Sequence, residues 1–132
     1  MTFKYVRRSP TVLRPIIPID LVHDGFTVPY LVLIDSGADI NVFSYQIGEL
    51  LGLDLLSGQK AEALGVTGEP TDLYIHPLTL ILGGEHYPIK AAFTKALDDK
   101  PHGLVGQDGF FSLFKVAFDL PSEEIELTPH RV

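Results

Sequence analysis

The 132-residue sequence contains no cysteine. Neither a disulfide framework nor a thiolate nucleophile is therefore possible. Long apolar runs are also missing, since none approaches the roughly 20 residues that a membrane-spanning helix needs. The N-terminal segment carries basic residues, but Arg14, Pro15 and Pro18 interrupt the apolar run that would have to follow them in a signal peptide. We therefore expect no signal peptide and a cytoplasmic location.

Basic residues are scarce relative to acidic ones. Ten Lys and Arg residues stand against 17 Asp and Glu residues, which gives a formal net charge of -7. An acidic surface argues against nucleic acid and against an anionic membrane as main partners. The five histidines are scattered, without an H-x-H or H-E-x-x-H spacing. We therefore predict no metal site.

The sequence does contain enough apolar material for one hydrophobic core. Apolar residues make up 45% of the chain, and a chain of this length buries about two-thirds of its unfolded surface on folding. Residues 1–11 are predicted to form an N-terminal arm, and residues 12–132 a single domain. Short strand-like runs between turns that contain glycine or proline predict a mainly β fold.

Two short helices are predicted within this β pattern. Tyr45 to Leu51 repeats apolar residues at helical spacing, with Ser44 as the N-cap and Gly52 as the stop. The apolar run from Phe110 to Phe114 is compatible with a second helix. Asp98 lies in a charged loop between them and is predicted to be solvated surface.

The most informative stretch is an apolar run that ends in a carboxylate, a hydroxyl and a glycine. Residues 31–34 are large aliphatics and predict a strand that is buried on both faces. Asp35, Ser36 and Gly37 follow directly, so the carboxylate stands at the mouth of the core. A partly desolvated carboxylate beside a hydroxyl and amide groups can be oriented for acid-base chemistry. An ordinary turn is the alternative, because Asp, Ser and Gly are the commonest turn formers.

Two later features follow this junction in order. Residues 59–82 predict a long hairpin with glycines near its tip, which suits a lid that closes on an extended ligand. A second apolar strand, Leu104-Val105, then ends in Gly106-Gln107-Asp108. Because the hairpin and this second junction follow Asp35-Ser36-Gly37 in order, we interpret Asp35-Ser36-Gly37 as part of a site rather than as an isolated turn.

In this order the motifs resemble those of the retroviral-type (retropepsin-like) aspartic proteases. That family carries an apolar strand, then D-T/S-G-A, then a glycine-rich flap, then two apolar residues with G-R-D/N. The corresponding segments here are Asp35-Ser36-Gly37-Ala38-Asp39, Leu64-Gly65-Val66-Thr67-Gly68 and Leu104-Val105-Gly106-Gln107-Asp108. The resemblance covers roughly residues 14–128 and implies a closed β-barrel or sandwich subunit with a flap hairpin and one or two short helices. The length of the chain suggests a cellular or bacterial member.

The resemblance also implies an aspartic endopeptidase that needs no cofactor. Such an enzyme uses two carboxylates that share one proton: the ionised one takes a proton from the attacking water, and the protonated one donates to the peptide oxygen. This chain offers one D-S-G and has no room for a second barrel. The expected enzyme is therefore a homodimer with one Asp35 from each chain, related by a two-fold axis, that acts on a peptide or protein substrate.

Residue roles carry over from the family at the matching positions. Asp35, Ser36 and Gly37 are assigned to catalysis, with Ser36 bonding across the two-fold axis to stiffen the pair of aspartates. The residues assigned to substrate binding are the pocket-lining Leu33 and Leu104, the loop residues Ala38 and Asp39, and the flap residues Gly65, Val66, Thr67 and Gly68. These assignments imply an apolar residue at the scissile bond.

Three further positions concern the dimer. Arg14-Pro15 is similar to a pair whose arginine reaches the partner's active-site end in retroviral enzymes, and the last strand, residues 124–128, is expected at the interface. Gln107 departs from the family, in which an arginine usually pairs with the carboxylate at the Asp39 position. A neutral amide still forms hydrogen bonds but lacks the charge-assisted bidentate geometry. We expect this change to affect dimer stability more than chemistry.

Other functions are weighed against this one. A retropepsin-like module that dimerises or binds peptides with little turnover would keep the same motifs, and the sequence leaves that alternative open. The strand-D-x-G phosphate loop of sugar kinases and actin belongs to much longer domains with further phosphate loops. A serine hydrolase would need G-x-S-x-G around Ser36, and this pattern is missing.

Overall fold

A computed structural model describes residues 1–64 and 70–130 of the chain, which are mainly β. The strands are β1 (Thr2–Lys4), β2 (Val6–Ser9), β3 (Val12–Arg14), β4 (Ile16–His23), β5 (Phe26–Ile34), β6 (Asn41–Ser44), β7 (Gln59–Leu64), β8 (Pro70–Leu82), β9 (Glu85–Thr94), β10 (Gly103–Val105), β11 (Phe114–Asp119) and β12 (Glu124–Pro129). Within the same residues there are one α-helix, α1 (Tyr45–Leu50), and two 3-10 turns, Leu55–Ser57 and Lys95–Leu97. None of the helices in this part of the chain is long and apolar enough to cross a membrane.

Six strands close into a barrel, as the resemblance implies. β4, β5, β10, β6, β9 and β8 are hydrogen-bonded in that order, and β8 returns to pair with β4, while β7 extends the sheet beyond β8. The β5–β10 and β6–β9 pairs are parallel, and the other pairs of the barrel are antiparallel. A separate sheet has the order β1-β12-β11, and β2 pairs with β3.

Aromatic side chains form the centre of the core beneath β5 and β6. The ring centroids of Tyr30 and Phe43 lie 5.5 Å apart and those of Phe43 and Phe93 lie 5.8 Å apart, both edge to face. Such pairs stabilise a core beyond the area that they bury. Phe43 and Phe93 are fully buried. The strands on either side of the Asp35 loop, β5 and β6, are therefore held in place by a closely packed core.

The β4–β5 hairpin leads the chain to Asp35. Asp24 and Gly25 turn the chain with φ angles of 48° and 83°. Only part of β4 is paired on both sides: Pro18 pairs with β5 alone, whereas Asp20–Val22 pair with both β5 and β8. Proline has no N–H to donate, so it is tolerated outside the stretch that is paired on both sides.

The predicted helix from Phe110 to Phe114 is wrong, because these residues form tight turns. The amides of Phe111 and Ser112 donate to the carbonyls five residues back, at 3.1 and 2.9 Å, and the Leu113 amide donates to the carbonyl three residues back. Only the Phe114 amide uses the carbonyl four residues back, so the consecutive bonds of an α-helix do not form. Gly109 has a φ angle of 101° just before the segment. The apolar run correctly indicated burial, since Phe110 and Phe114 are fully buried, but burial does not fix the local conformation.

The start of α1 has a second cap that the sequence did not suggest. The Ser44 hydroxyl accepts from the Gln46 amide at 3.2 Å, as predicted, and Gly52 follows the helix with a φ angle of 74°. The Asp98 carboxylate accepts from the same amide at 3.1 Å and from the Ser44 hydroxyl at 2.6 Å. The prediction that Asp98 is only solvated surface is therefore wrong, because it anchors its loop to α1.

The first and last strands pair within the chain. β1 pairs antiparallel with β12, and β11 pairs with the other edge of β12. The division into an arm, residues 1–11, and a domain, residues 12–132, stays a prediction. Residues 124–127 of β12 are bonded both to β11 and to the segment Met1–Lys4, so this part of the strand has no free edge for a strand of a partner chain.

Candidate active site

Asp35 stands directly after β5, where β5 and β10 run parallel and end together. The Asp35 amide donates to the Val105 carbonyl at 2.9 Å, which continues the pairing of the two strands. Asp35 is half-buried, while Ser36 and Gly37 are exposed. The sheet therefore fixes the backbone of Asp35 and leaves its carboxylate within reach of a ligand.

Gly37 contacts the Asp35 carboxylate. Its amide donates to Oδ1 of Asp35 at 2.9 Å, and a Cβ atom added at position 37 would lie 3.2 Å from the same oxygen. That distance is tighter than an ordinary van der Waals contact, so the carboxylate would have to move. The φ angle of Gly37 is outside the left-handed region. Glycine is thus needed here for space beside the carboxylate rather than for an unusual backbone angle.

The two predicted junctions lie side by side. The Gln107 amide donates to the Ala38 carbonyl and the Asp108 amide to the Asp39 carbonyl, both at 2.9 Å. Ile40 and Asp108 form an isolated parallel bridge just beyond. Backbone bonds of this kind hold two loops in one register without any side-chain charge.

The Gln107 side chain adds a further hydrogen bond between these two loops. Its Nε2 donates to the Ser36 carbonyl at 2.9 Å. Asp39 is exposed and forms no ion pair with any residue that the structure describes. The neutral amide therefore supports the backbone of the loop instead of pairing with Asp39 as the family arginine does.

Asn41 is a buried polar residue that sequence reasoning missed. It is fully buried, its Oδ1 accepts from the Gly106 amide at 2.9 Å, and its Nδ2 donates to the Gly109 carbonyl at 3.1 Å. Asn41 thus joins the strand after the first junction to the turn after the second. The available signal was an amide within the otherwise apolar run Ile40 to Phe43, because a polar group in a core strand requires partners.

An apolar row lies on the Asp35 side of the sheet. Leu104 has Leu33 and Val42 as its register partners, and all three side chains are half-buried. Side chains alternate along a strand, so Leu33 and Asp35 share one face. The predicted pocket residues Leu33 and Leu104 are therefore neighbours. Val42 was not predicted, although its position between Asn41 and Phe43, both buried, indicates the opposite face.

A cavity of about 120 Å³ opens near the end of this loop. Its lining includes Ile40, Ile75, Lys90 and Asp108. Lys90 and Asp108 are exposed, so the cavity combines apolar walls with charged groups of both signs. In residues 1–64 and 70–130 no group of three or more His, Cys, Asp or Glu side chains could hold a metal ion.

The predicted flap residues Gly65, Val66, Thr67 and Gly68 lie outside the described residues. The strands on either side of them, β7 and β8, pair antiparallel from Gln59–Ile75 to Leu64–Pro70.

The comparisons with known proteins concern the fold. No protein-family model matches the sequence, and no curated protein is detectably similar to it. Among solved structures, the chain is similar to a retropepsin-like aspartic protease from Rickettsia conorii, with a TM-score of 0.66 and 16% identity over 96% of this chain and 88% of that one.

Two more solved structures support the same result. The retroviral protease-like domain of Ddi1 from Leishmania major gives a TM-score of 0.63 and 17% identity over 90% of this chain and 97% of that one. The EIAV protease in complex with an inhibitor gives a TM-score of 0.52 and 21% identity over 77% of this chain and 88% of that one. The chain therefore has the fold of the retropepsin-like aspartic proteases, as its ordered motifs indicated.

Proposed function

We propose that the chain is an aspartic endopeptidase that works as a homodimer, with one Asp35 from each chain in a shared site. The observation that carries this proposal is the position of Asp35, half-buried at the joint end of β5 and β10 with Oδ1 held by the Gly37 amide. The carboxylate is oriented by backbone and still accessible, which are the two requirements of a proton-transfer group.

The proposed chemistry needs two such carboxylates. Like charges held close together cannot both be ionised, so the pair retains one proton. The ionised Asp35 takes a proton from a water molecule as the water oxygen attacks the peptide carbon, and the protonated Asp35 donates to the carbonyl oxygen. Proton return to the amide nitrogen then breaks the C–N bond and releases a carboxylic acid and an amine. We expect activity to be highest in mildly acid solution.

A second copy of the chain is the proposed source of the other carboxylate. The barrel described here contains one D-S-G sequence. The Ser36 side chain is exposed and has no hydrogen-bond partner in the described residues, which leaves its hydroxyl available to a partner chain. Its carbonyl is already bound by Gln107, so the orientation of Ser36 is set within one chain.

The proposed substrate is an extended peptide with an apolar residue next to the scissile bond. Leu33, Leu104 and Val42 supply an apolar surface on the same face of the sheet as Asp35. Ala38 and Asp39 are proposed to contact the peptide backbone, with Gly65, Val66, Thr67 and Gly68 closing over it.

The decisive experiment is digestion of a diverse peptide mixture at mildly acid and neutral pH, with the products identified by mass spectrometry. Asp35→Asn should reduce cleavage to background because it removes the shared proton-transfer group. Asp24→Asn is the matched control: it makes the same chemical change at the far end of β5, about 30 Å away for a strand of this length.

Undiminished cleavage by the Asp35→Asn enzyme would exclude the proposal. If neither protein cuts although both are folded dimers, the peptide-binding module becomes the better interpretation.

A further inference from the structure

We propose that Asn41 is a positioning residue, which holds the Asp35 loop in its working geometry through a neutral amide clamp on the backbone of the neighbouring turn. The effect on catalysis rests on the proposed function. The clamp itself rests on hydrogen bonds of described residues.

The clamp acts on the turn to which the Asp35 loop is bound. Gly106, whose amide donates to Asn41 Oδ1, lies between Val105 and Gln107. Val105 accepts from the Asp35 amide, and the Gln107 amide donates to Ala38, so the residues on both sides of Gly106 contact the Asp35 loop. A displacement of Gly106 therefore moves both ends of the segment that carries the carboxylate.

Both turn residues that Asn41 bonds are closely packed glycines. A Cβ atom at Gly106 would overlap the Ala38 carbonyl oxygen, and a Cβ atom at Gly109 would lie 2.5 Å from the Asn41 Nδ2. Gly109 also has a φ angle of 101°, which an L side chain rarely adopts. Gly109 therefore leaves room for the Asn41 side chain, and Gly106 leaves room for the Ala38 carbonyl of the Asp35 loop.

The clamp requires one donor and one acceptor on the same short side chain. An asparagine supplies both without charge. In an Asn41→Asp variant, an ionised carboxylate would still accept from Gly106 but would set a second oxygen against the Gly109 carbonyl, an acceptor against an acceptor. A protonated carboxyl group would donate there and restore the clamp. Of the titratable groups on the segments packed around this position, Asp39, Asp108 and Lys90 are exposed and Asp35 is half-buried. His76, two strands away in the same row of the sheet, is buried.

The test therefore uses the Asn41→Asp variant, in which the pH decides whether the side chain can form both hydrogen bonds of the clamp. Thr94→Val is the matched control, because Thr94 is equally buried and its hydroxyl accepts a hydrogen bond from Ala96, away from the Asp35 loop. Three quantities are measured against pH: the free energy of unfolding, kcat and KM for a cleaved peptide, and the NMR signals of the Ser36 and Gly37 amides.

In the Asn41→Asp variant we expect kcat per folded dimer to fall about 10- to 100-fold further than in the unmodified protein as the pH rises, with little change in KM, because small displacements of reacting groups cost that much. The Ser36 and Gly37 amide signals should shift with the same midpoint. Thr94→Val should lose stability but keep the pH dependence of kcat and the Ser36 and Gly37 amide signals of the unmodified protein. Asn41→Ser, which is too short to reach both partners, should lower kcat at every pH.

The proposal is overturned if the folded Asn41→Asp protein shows no pH-linked change in kcat or in the Ser36 and Gly37 signals beyond that of Thr94→Val. It is also overturned if neither Asn41 variant folds, because the residue is then structural only. If the unmodified protein cleaves nothing, the proposed function fails, while the amide signals still decide whether Asn41 positions the loop.

Discussion

At the scale of single residues, space around the Asp35 carboxylate is the main constraint. Gly37 donates to this carboxylate and would crowd it if it carried a side chain. The neighbouring Ser36 is exposed and therefore free of such a limit within one chain. The glycine of the motif is thus required by its contact with the carboxylate.

Gly37→Ala should reduce kcat/KM by about 10-fold or more, because the Asp35 carboxylate must shift away from the added methyl group. Stability should change by less than about 1 kcal/mol, since the φ angle is ordinary. Gly25→Ala provides the opposite case: its Cβ would meet no atom within 4 Å, but its φ angle of 83° should lower stability by about 1–2 kcal/mol without affecting kcat. Peptide cleavage rates and urea unfolding of both variants measure this. Equal activities would contradict the role given to Gly37.

At the scale of elements, sequence periodicity predicted the strands better than the connections, while the closed barrel and the pocket positions Leu33 and Leu104 followed from the family resemblance. The position of Asp35 followed from the apolar run that ends in Asp35-Ser36-Gly37. The turn at Phe110 to Phe114 did not, because a buried apolar run suits several backbone conformations. Asp98 and Asn41 were missed for another reason: their partners are 52 to 68 residues away in the sequence, and no local pattern encodes such contacts.

Tyr30 links β5 to β6 and predicts a loss of stability in alkaline solution. Burial, which is the main cause, and the nearby Asp98 raise the pKa of Tyr30 to about 12, although the Ser44 amide that donates to its hydroxyl acts in the other direction. Between about pH 10 and 12 this tyrosine ionises in the unfolded chain but not in the folded one. The ionisation of Tyr30 should therefore not change the free energy of unfolding below pH 10. It should lower this free energy by about 2–3 kcal/mol as the pH rises to 12.

Urea unfolding from pH 8 to 12 measures this slope. Tyr30→Phe should be less stable at pH 8, because the Ser44 amide loses its acceptor, and should show a much shallower decline above pH 10. Some slope should persist from Tyr5, whose pKa is raised by burial and by Asp119. Tyr74→Phe, which leaves the Tyr30 hydroxyl in place, is the control and should retain the full slope. An unchanged slope in Tyr30→Phe would refute this assignment.

At the scale of the whole molecule, the proposed dimer needs contacts that one chain leaves unused. The Pro15 carbonyl accepts from the Ile34 amide at 2.9 Å, so Arg14 lies level with Asp35 on the neighbouring strand. Among the described residues the Arg14 guanidinium forms a hydrogen bond with the Leu13 carbonyl, at 3.3 Å, and no ion pair. Asp39 is likewise exposed and unpaired within that part of the chain. Arg14 of one chain and Asp39 of its partner are the proposed ion pair.

Charge reversal tests this pair. Arg14→Glu and Asp39→Arg should each raise the dimer dissociation constant by about 10-fold or more, because each places like charges together, and the double variant should recover a substantial part of the loss. Sedimentation at several salt concentrations measures the dissociation constant. Arg8→Glu, at an exposed arginine of β2, makes the same charge change as a control. A double variant as weak as the two single variants combined would rule out this contact.

The pairing of β1 with β12 has a consequence for the order in which the molecule forms. Lys4 and Glu124, which form an ion pair across these strands, are 120 residues apart in the sequence. Closing so long a loop has a large entropic cost, which local hairpins such as β4–β5 and β8–β9 avoid. During synthesis β1 leaves the ribosome long before β12 and can pair only after β12 has been made. We therefore expect the barrel to assemble early and the β1-β12-β11 sheet to be the last part of the fold to become protected from hydrogen exchange.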